Sequence, residues 1–186
     1  MASSAPSTPA APLPPGNPMM WVLIACELLV FGLALVYYAA GRALDPAGFL
    51  AGQDELSRLA GTINTAVLLT SGLFAALAVE ARQQANRRRT RLMLGIAALL
   101  GGVFLAVKAQ EYGVEIANGH GLNEPGFFML YFLITGFHAA HVIFGIIILA
   151  IVAIYDDLEN IETGTAFWHM VDLIWIVIFP CLYLMR

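Results

Sequence analysis

Charge is scarce in this sequence. Only 12 % of its 186 residues are Asp, Glu, Lys or Arg, against 60 % hydrophobic, where a water-soluble domain carries roughly 25 % charged residues. Much of the chain is therefore expected to meet lipid. Catalytic signatures are also missing. There is no GxxxxGKS/T, no GxGxxG after a strand, no HExxH and no GxSxG, so no phosphate cradle, metalloprotease helix or hydrolase elbow is encoded. The net charge of −4 is small and no basic patch is interleaved with aromatics, so nucleic acid is not an expected partner. The two cysteines, Cys26 and Cys181, lie in apolar runs without a CxxC. They imply no disulfide framework and read as small packing residues.

What is present falls into two parts. Residues 1–18 hold six of the nine prolines, with Ala and Ser between them. Such a stretch cannot sustain a helix and has little to bury, which predicts a disordered tail; with no positive n-region it is not a secretory signal. Residues 19–186 hold five apolar segments, at 19–40, 62–80, 92–112, 126–154 and 167–185. Each approaches the ~20 residues needed to cross ~30 Å of hydrocarbon. The expected fold is all-α: one integral membrane bundle of five transmembrane helices.

Cations set the expected orientation. Arg82, Arg87, Arg88, Arg89 and Arg91 crowd the loop between the second and third spans. That loop is expected in the cytoplasm, with the N-terminus beside it and the C-terminus outside. The loop at 155–166 should lie on the same side, yet it carries Asp156, Asp157, Glu159 and Glu162 and no cation. Acidic residues steer topology weakly, so the arginines decide. Small residues four apart (Gly72 and Ala76, Ala98 and Gly102, Gly136 and Ala140) are expected to let helices approach closely. Trp168 and Trp175 are candidates for interfacial anchoring or packing, and Pro180 for a kink.

An ionisable group in a span usually has a partner or a role, because the hydrocarbon penalises it by a few kcal/mol or more. The candidates are Glu27, Lys108, Glu111, His138, His141, His169 and Asp172. Glu27 lies about 12 Å into the first span, as a proton-buffering carboxyl or as a neutral acid bonded to a neighbouring helix. Lys108 and Glu111 share a helical face; the lysine is expected to snorkel outward as an interfacial ion pair. His138 and His141 share a face in TGFHAAHVIFG. A zinc site needs three or four protein ligands, and His138 and His169 differ in depth, so metal and haem ligation are disfavoured for them. The expectation is two imidazoles bonded between helices, with Glu111 facing His138 and Glu27 facing His141. His169 and Asp172, one turn apart, form an expected polar knot at the cytoplasmic end. His120 lies in the outer loop NGHGLNEPG.

Taken in order, ACELLVFG, NTAVLLTSG, AQEYGVEI with GFFMLYFLITGFHAAHVIFG, and AFWHMVDLIWIVIFPCLYL resemble subunit III of the haem–copper oxidases across residues 19–186. Seven-helix members hold lipid in a cleft beside their first two helices. This chain looks like a form without those two helices, as in quinol oxidases and in the NorE-type accessory protein of bacterial nitric oxide reductase, which it resembles most in length and in its ending. The resemblance implies no haem, copper or active site in this chain, with phospholipid as a bound lipid. It also implies a place in the bacterial plasma membrane against the catalytic subunit of an oxidase or nitric oxide reductase, supporting sustained turnover and proton uptake. The matching residues are Glu27, Glu111, His138, His141, His169 and Asp172. The competing readings are a proton or small-solute transporter using those residues as a relay, and a haem protein.

Overall fold

The computed structural model describes residues 18–124 and 126–185; the tail expected at 1–18 lies outside them but for Pro18. The described residues form six helices: α1 (Pro18–Leu44), α2 (Pro46–Glu55), α3 (Arg58–Gln83), α4 (Arg87–Ala117), α5 (Phe127–Ile154) and α6 (Leu158–Phe179), the last continued by a π turn over Pro180–Leu184. Five of these are long and apolar enough to cross a membrane. The sixth, α2, replaces an expected loop. Asp45 caps it, accepting the Gly48 N–H at 3.0 Å, and Pro46 follows at the first helical position, where a missing N–H costs nothing.

Other ends are set by the same local chemistry. Ser57 accepts the Ala60 N–H at 3.3 Å to open α3, and Asn86 accepts the Arg89 N–H at 3.1 Å to open α4. Between those two helices Ala85 takes the left-handed conformation (φ 56°), which makes the turn tight enough for α3 and α4 to pack as an antiparallel hairpin. At the far end of α4, Gly119 (φ 97°) allows two closing bonds, Gly119 N–H to Ile116 O at 3.1 Å and His120 N–H to Glu115 O at 3.0 Å. This is a Schellman cap, and it fixes His120 directly beside Glu115.

Helix α6 is the axis of the bundle. It packs on α3, α5 and α1, and 61 % of its most apolar window is buried, against 6 % for α1. Trp168 shows how close the approach is. Its ring lies between Gly101 on α4 and Gly145 on α5, where an added methyl would stand 2.6 and 2.7 Å from it. Its indole N–H donates to Ser71 Oγ at 3.0 Å, and Ser71 donates to Ala97 O at 2.7 Å, so one chain of bonds ties α6, α3 and α4. Trp168 and Trp175 are thus packing residues, 0 % and 1 % exposed. Of the small-residue pairs expected at contacts, only Gly72 is closely covered, by Asp172. A methyl on Gly102 would meet nothing within 4 Å and one on Gly136 only Tyr112 Oη at 4.0 Å. The close-approach positions are instead those facing the large rings of α6.

Both ends of the bundle are pinned by polar contacts. Asp156, from the α5–α6 turn, accepts at its backbone oxygen from Arg82 Nε at 2.5 Å. Its carboxylate lies 3.5 Å from Arg87 Nε and 3.4 Å from Arg91 Nη2. The acidic loop, which has no cation of its own, is served by the arginine loop beside it. Arg88 and Arg89 are exposed at that end. At the other end, Arg42 donates to Met185 O at 2.6 Å. Gln53 of α2 donates to Tyr38 Oη and to Cys181 O and Leu182 O, at 3.0–3.1 Å. Those carbonyls belong to the π turn that begins at Pro180, so α2 serves as a cap for the end of α6.

Candidate functional site

The intramembrane ionisable residues fall into three groups, built very differently. The tightest is centred on Lys108 and Glu111 in the C-terminal half of α4. Lys108 is 2 % exposed and does not snorkel, contrary to expectation. Its ammonium donates to Tyr131 Oη at 2.8 Å, Tyr183 Oη at 2.9 Å and Glu111 Oε2 at 3.2 Å. All three protons of the cation are thereby used. The ammonium also lies 4.7 Å from the centre of the Tyr131 ring and 5.0 Å from that of Tyr112, within cation–π range. Tyr131 and Tyr183 in turn donate to Glu111 Oε1 at 2.7 and 2.6 Å. One lysine, one carboxylate and two phenols thus close a ring of bonds across α4, α5 and the π turn after α6. Beside it, Thr135 donates to Tyr131 O at 2.6 Å and accepts from Tyr112 Oη at 2.7 Å.

This arrangement overturns the expected Glu111–His138 contact. Glu111 is occupied by the two tyrosines and the lysine. His138, fully buried, is surrounded by rings instead: Trp175 stacks on it at 5.0 Å, and Phe104 and Phe31 present edges at 5.6 and 6.3 Å. Neither of its ring nitrogens has a hydrogen-bond partner among the described residues.

The second group is peripheral. His141 donates through Nδ1 to Phe137 O at 2.8 Å, and its Nε2 lies 3.0 Å from Glu27 Oε2 on α1. The expected pairing of Glu27 with His141 is present as a close contact without directed hydrogen-bond geometry. Phe31 and Phe137 flank His141 at 5.4 and 4.6 Å. The third group, His169 and Asp172, is looser still. Nδ1 and Oδ2 stand 3.9 Å apart, at the limit of ion-pair range. His169 is exposed, while Asp172 is buried against Gly72.

Residue type alone points to the ionisable groups and not to their neutral partners. Tyr131, Tyr183, Tyr112, Gln53, Asn64 and Ser71 all have buried or half-buried polar atoms bonded between helices. A phenol or amide set in an apolar run was the available signal, since such groups need partners when buried.

His120 is the one histidine outside the spans. Its Nδ1 lies 2.9 Å from Glu124 Oε2 and its Nε2 2.8 Å from Glu55 Oε2. The hydrogen bond to Glu124, then that to Glu55, hold its pKa above the ordinary imidazole value, because both carboxylates favour the cation. The ring stacks face to face on Phe128 at 3.7 Å.

Comparison with known proteins gives this geometry a context. The family described as "Cytochrome c oxidase subunit III" matches residues 57–186. Cytochrome c oxidase subunit 3 of Thermostichus vulcanus is 30 % identical over 177 residues, covering 88 % of this chain and 84 % of that protein. The subunit 3 of Bacillus sp. (strain PS3) is 26 % identical over 174 residues, 89 % of this chain and 83 % of that protein. Subunit 3 of the cytochrome bo(3) ubiquinol oxidase of Pseudomonas aeruginosa is 26 % identical over 173 residues, 89 % and 82 % of the two chains.

Proposed function

The chain belongs to the cytochrome c oxidase subunit III family, and we propose that it acts as a non-catalytic support for the catalytic subunit of a respiratory oxidase, prolonging that subunit's turnover. One observation carries the reading. The tightest intramembrane polar cluster, the Lys108–Glu111–Tyr131–Tyr183 ring, holds this chain's own helices together. A group whose bonds are saturated by fixed neighbours stabilises a scaffold; a proton carrier needs partners that change. The transporter reading is weakened at the same point. His138, which lies between Lys108 and His141 along the bundle, makes no hydrogen bond among the described residues and stands in a layer of aromatic rings. A relay running through it would have no next member.

A bound phospholipid fits the same role. A groove of about 610 Å³ lies between α1, α3 and α6, with Trp21, Ile24, Met170 and Leu173 in its walls and His169 and Glu162 among its polar lining. Apolar walls with a few polar groups suit an acyl chain and a headgroup. For orientation we place the arginine-rich end in the cytoplasm and the C-terminus outside, from the cations of residues 82–91.

The finer reading is that the catalytic partner is a nitric oxide reductase, with a role in denitrification. It is favoured by the run IVIFPCLYLMR, which resembles the corresponding run of the NorE-type accessory protein. The experiment is purification of the tagged chain from its native membrane in mild detergent. A haem spectrum in the eluate, with oxygen or nitric oxide consumption, supports the support-subunit reading, and the substrate consumed decides between the two partners. An eluate free of haem protein, with proton or solute flux from liposomes holding the chain alone, would replace this reading by the transporter.

A further inference from the structure

At the end of the bundle that carries α2, three donors converge that are far apart in sequence. A carboxylate oxygen of Glu55, a carboxylate oxygen of Glu115 and a ring nitrogen of His120 all lie within 4.8 Å of one another. We infer that Glu55, Glu115 and His120 bind a divalent transition-metal ion of the zinc class, which clamps α2 to the end of α4.

Four observations point to a ligand there. First, Glu115 is 4 % exposed, and its Oε2 has no hydrogen-bond partner among the described residues. A buried, unpartnered carboxylate oxygen is costly, and a cation relieves it. Second, the charge is poorly placed without one. Glu55 is the last residue of α2 and Glu115 lies in the last turn of α4, where the helix dipole disfavours acids. Three carboxylates, those of Glu55, Glu115 and Glu124, gather there around the single imidazole of His120. Third, the imidazole is already oriented. The Schellman cap sets its backbone beside Glu115, Phe128 stacks on its face, and Glu124 accepts from Nδ1. That leaves Nε2 turned toward the carboxylates. A carboxylate on the second nitrogen of a metal-binding histidine is a recurrent supporting arrangement. Fourth, the donor set is selective: one imidazole with two carboxylates suits Zn²⁺ better than Mg²⁺ or Ca²⁺, which prefer oxygen alone.

The geometry is within reach. A tetrahedral Zn²⁺ with bonds of about 2.0–2.2 Å keeps its ligands roughly 3.3–3.6 Å apart. Closing the set asks for at most about 1 Å of movement between Glu115 and the other two donors, because Glu55 Oε2 and His120 Nε2 already stand 2.8 Å apart; water completes the fourth position. No pair of these ligands is nearer than five residues in sequence, and Glu55 is sixty from Glu115. Only the docking of α2 brings the set together, which is why counting histidines along the chain does not reveal it.

The test titrates ZnCl₂ into the full chain, purified in detergent and stripped with chelator, and counts bound metal after gel filtration. The expected result is one Zn²⁺ per chain and a thermal unfolding midpoint that rises with Zn²⁺. Glu55→Gln, on the exposed helix α2, and His120→Gln should each abolish stoichiometric binding and the thermal response. Glu124→Gln should weaken binding about 10- to 100-fold. His169→Ala, removing an exposed histidine elsewhere, should leave both intact. If Glu115→Gln proves unstable, the Glu55 and Glu124 variants carry the test. Zn²⁺ binding that survives Glu55→Gln and His120→Gln, or an absence of stoichiometric Zn²⁺, overturns the assignment. So does Ca²⁺ binding equal to that of Zn²⁺ and insensitive to His120→Gln.

Discussion

The first and last helices look alike as sequence and behave differently as structure. Both are long apolar runs with an acid in them, Glu27 in α1 and Asp172 in α6. Yet α6 is enclosed by α3, α5 and α1, whereas α1 leaves most of its surface outward, including Leu29, Leu33 and Val36 at 62–66 % exposure. In water such a difference would show in composition. In a bilayer it does not, because lipid tails are as apolar as a protein core and no hydrophobic gain sorts the inner helix from the outer one. What distinguishes them is close packing and polar bonding. Around α6 stand two glycines that admit Trp168, and at its end Tyr183 joins the Lys108–Glu111 ring. Along the middle of α1 the contacts are fewer, Glu27 with His141 and Phe31 against Phe137, His138 and His141, while Tyr38 and Arg42 tie only its last turns to α2 and the π turn.

This contrast is broken most severely at Lys108. Lys108→Met strips the half-buried Glu111 carboxylate of its cation while leaving it two phenol donors, so it should destabilise the chain by about 3 kcal/mol, read as a loss of unfolding midpoint in detergent. Adding Glu111→Gln, which removes the stranded charge while still accepting from the tyrosines, should recover part of that loss. A double variant as unstable as the two single changes summed would mean the residues do not act as a unit.

The packing side of the contrast is the next largest. Gly145→Ala pushes a methyl to 2.7 Å from the Trp168 ring and should cost about 1–3 kcal/mol. Gly32→Ala on α1 faces open space and should be neutral in the same assay. Equal effects at the two glycines would contradict the assignment of α6 as the axis.

Glu27→Gln or His141→Ala should cost only about 0.6 kcal/mol, typical of polar contacts between membrane helices. The smallest effect is expected at His169→Ala, within about 0.5 kcal/mol, because the imidazole is exposed and stands 3.9 Å from its acid. A loss at Glu27 as large as that at Lys108 would promote the α1 contact to a structural lock.

Most of the fold is legible in the sequence and much of the site is not. Apolar run length reveals all five spans, since a helix crossing lipid must be continuously apolar. It places their ends poorly. Helix α6 begins at Leu158, within a polar stretch, nine residues before the apolar window at 167, and α4 runs from Arg87 to Ala117 rather than 92–112. Backbone bonding continues past the hydrocarbon edge, where polar side chains are welcome. The contact of Glu27 with His141 follows from two ionisable groups each needing a partner. That of Glu111 does not, because its partners are neutral phenols, and nothing along the chain says that Tyr183 will reach it over 72 residues. Helix α2 was legible in principle from Asp45–Pro46, a cap followed by a first-turn proline.

The proposed role is for this polar interior to sustain a catalytic partner by holding its own scaffold rather than by carrying protons. The most direct measurement is the progress curve of oxygen or nitric oxide consumption by the co-purified oxidase, taken with the native chain, with the Lys108→Met variant, and after the chain is removed. The account predicts the same initial rate in all three, with activity decaying faster for the variant and fastest without the chain. An initial rate that falls with Lys108→Met while its durability stays unchanged would contradict it.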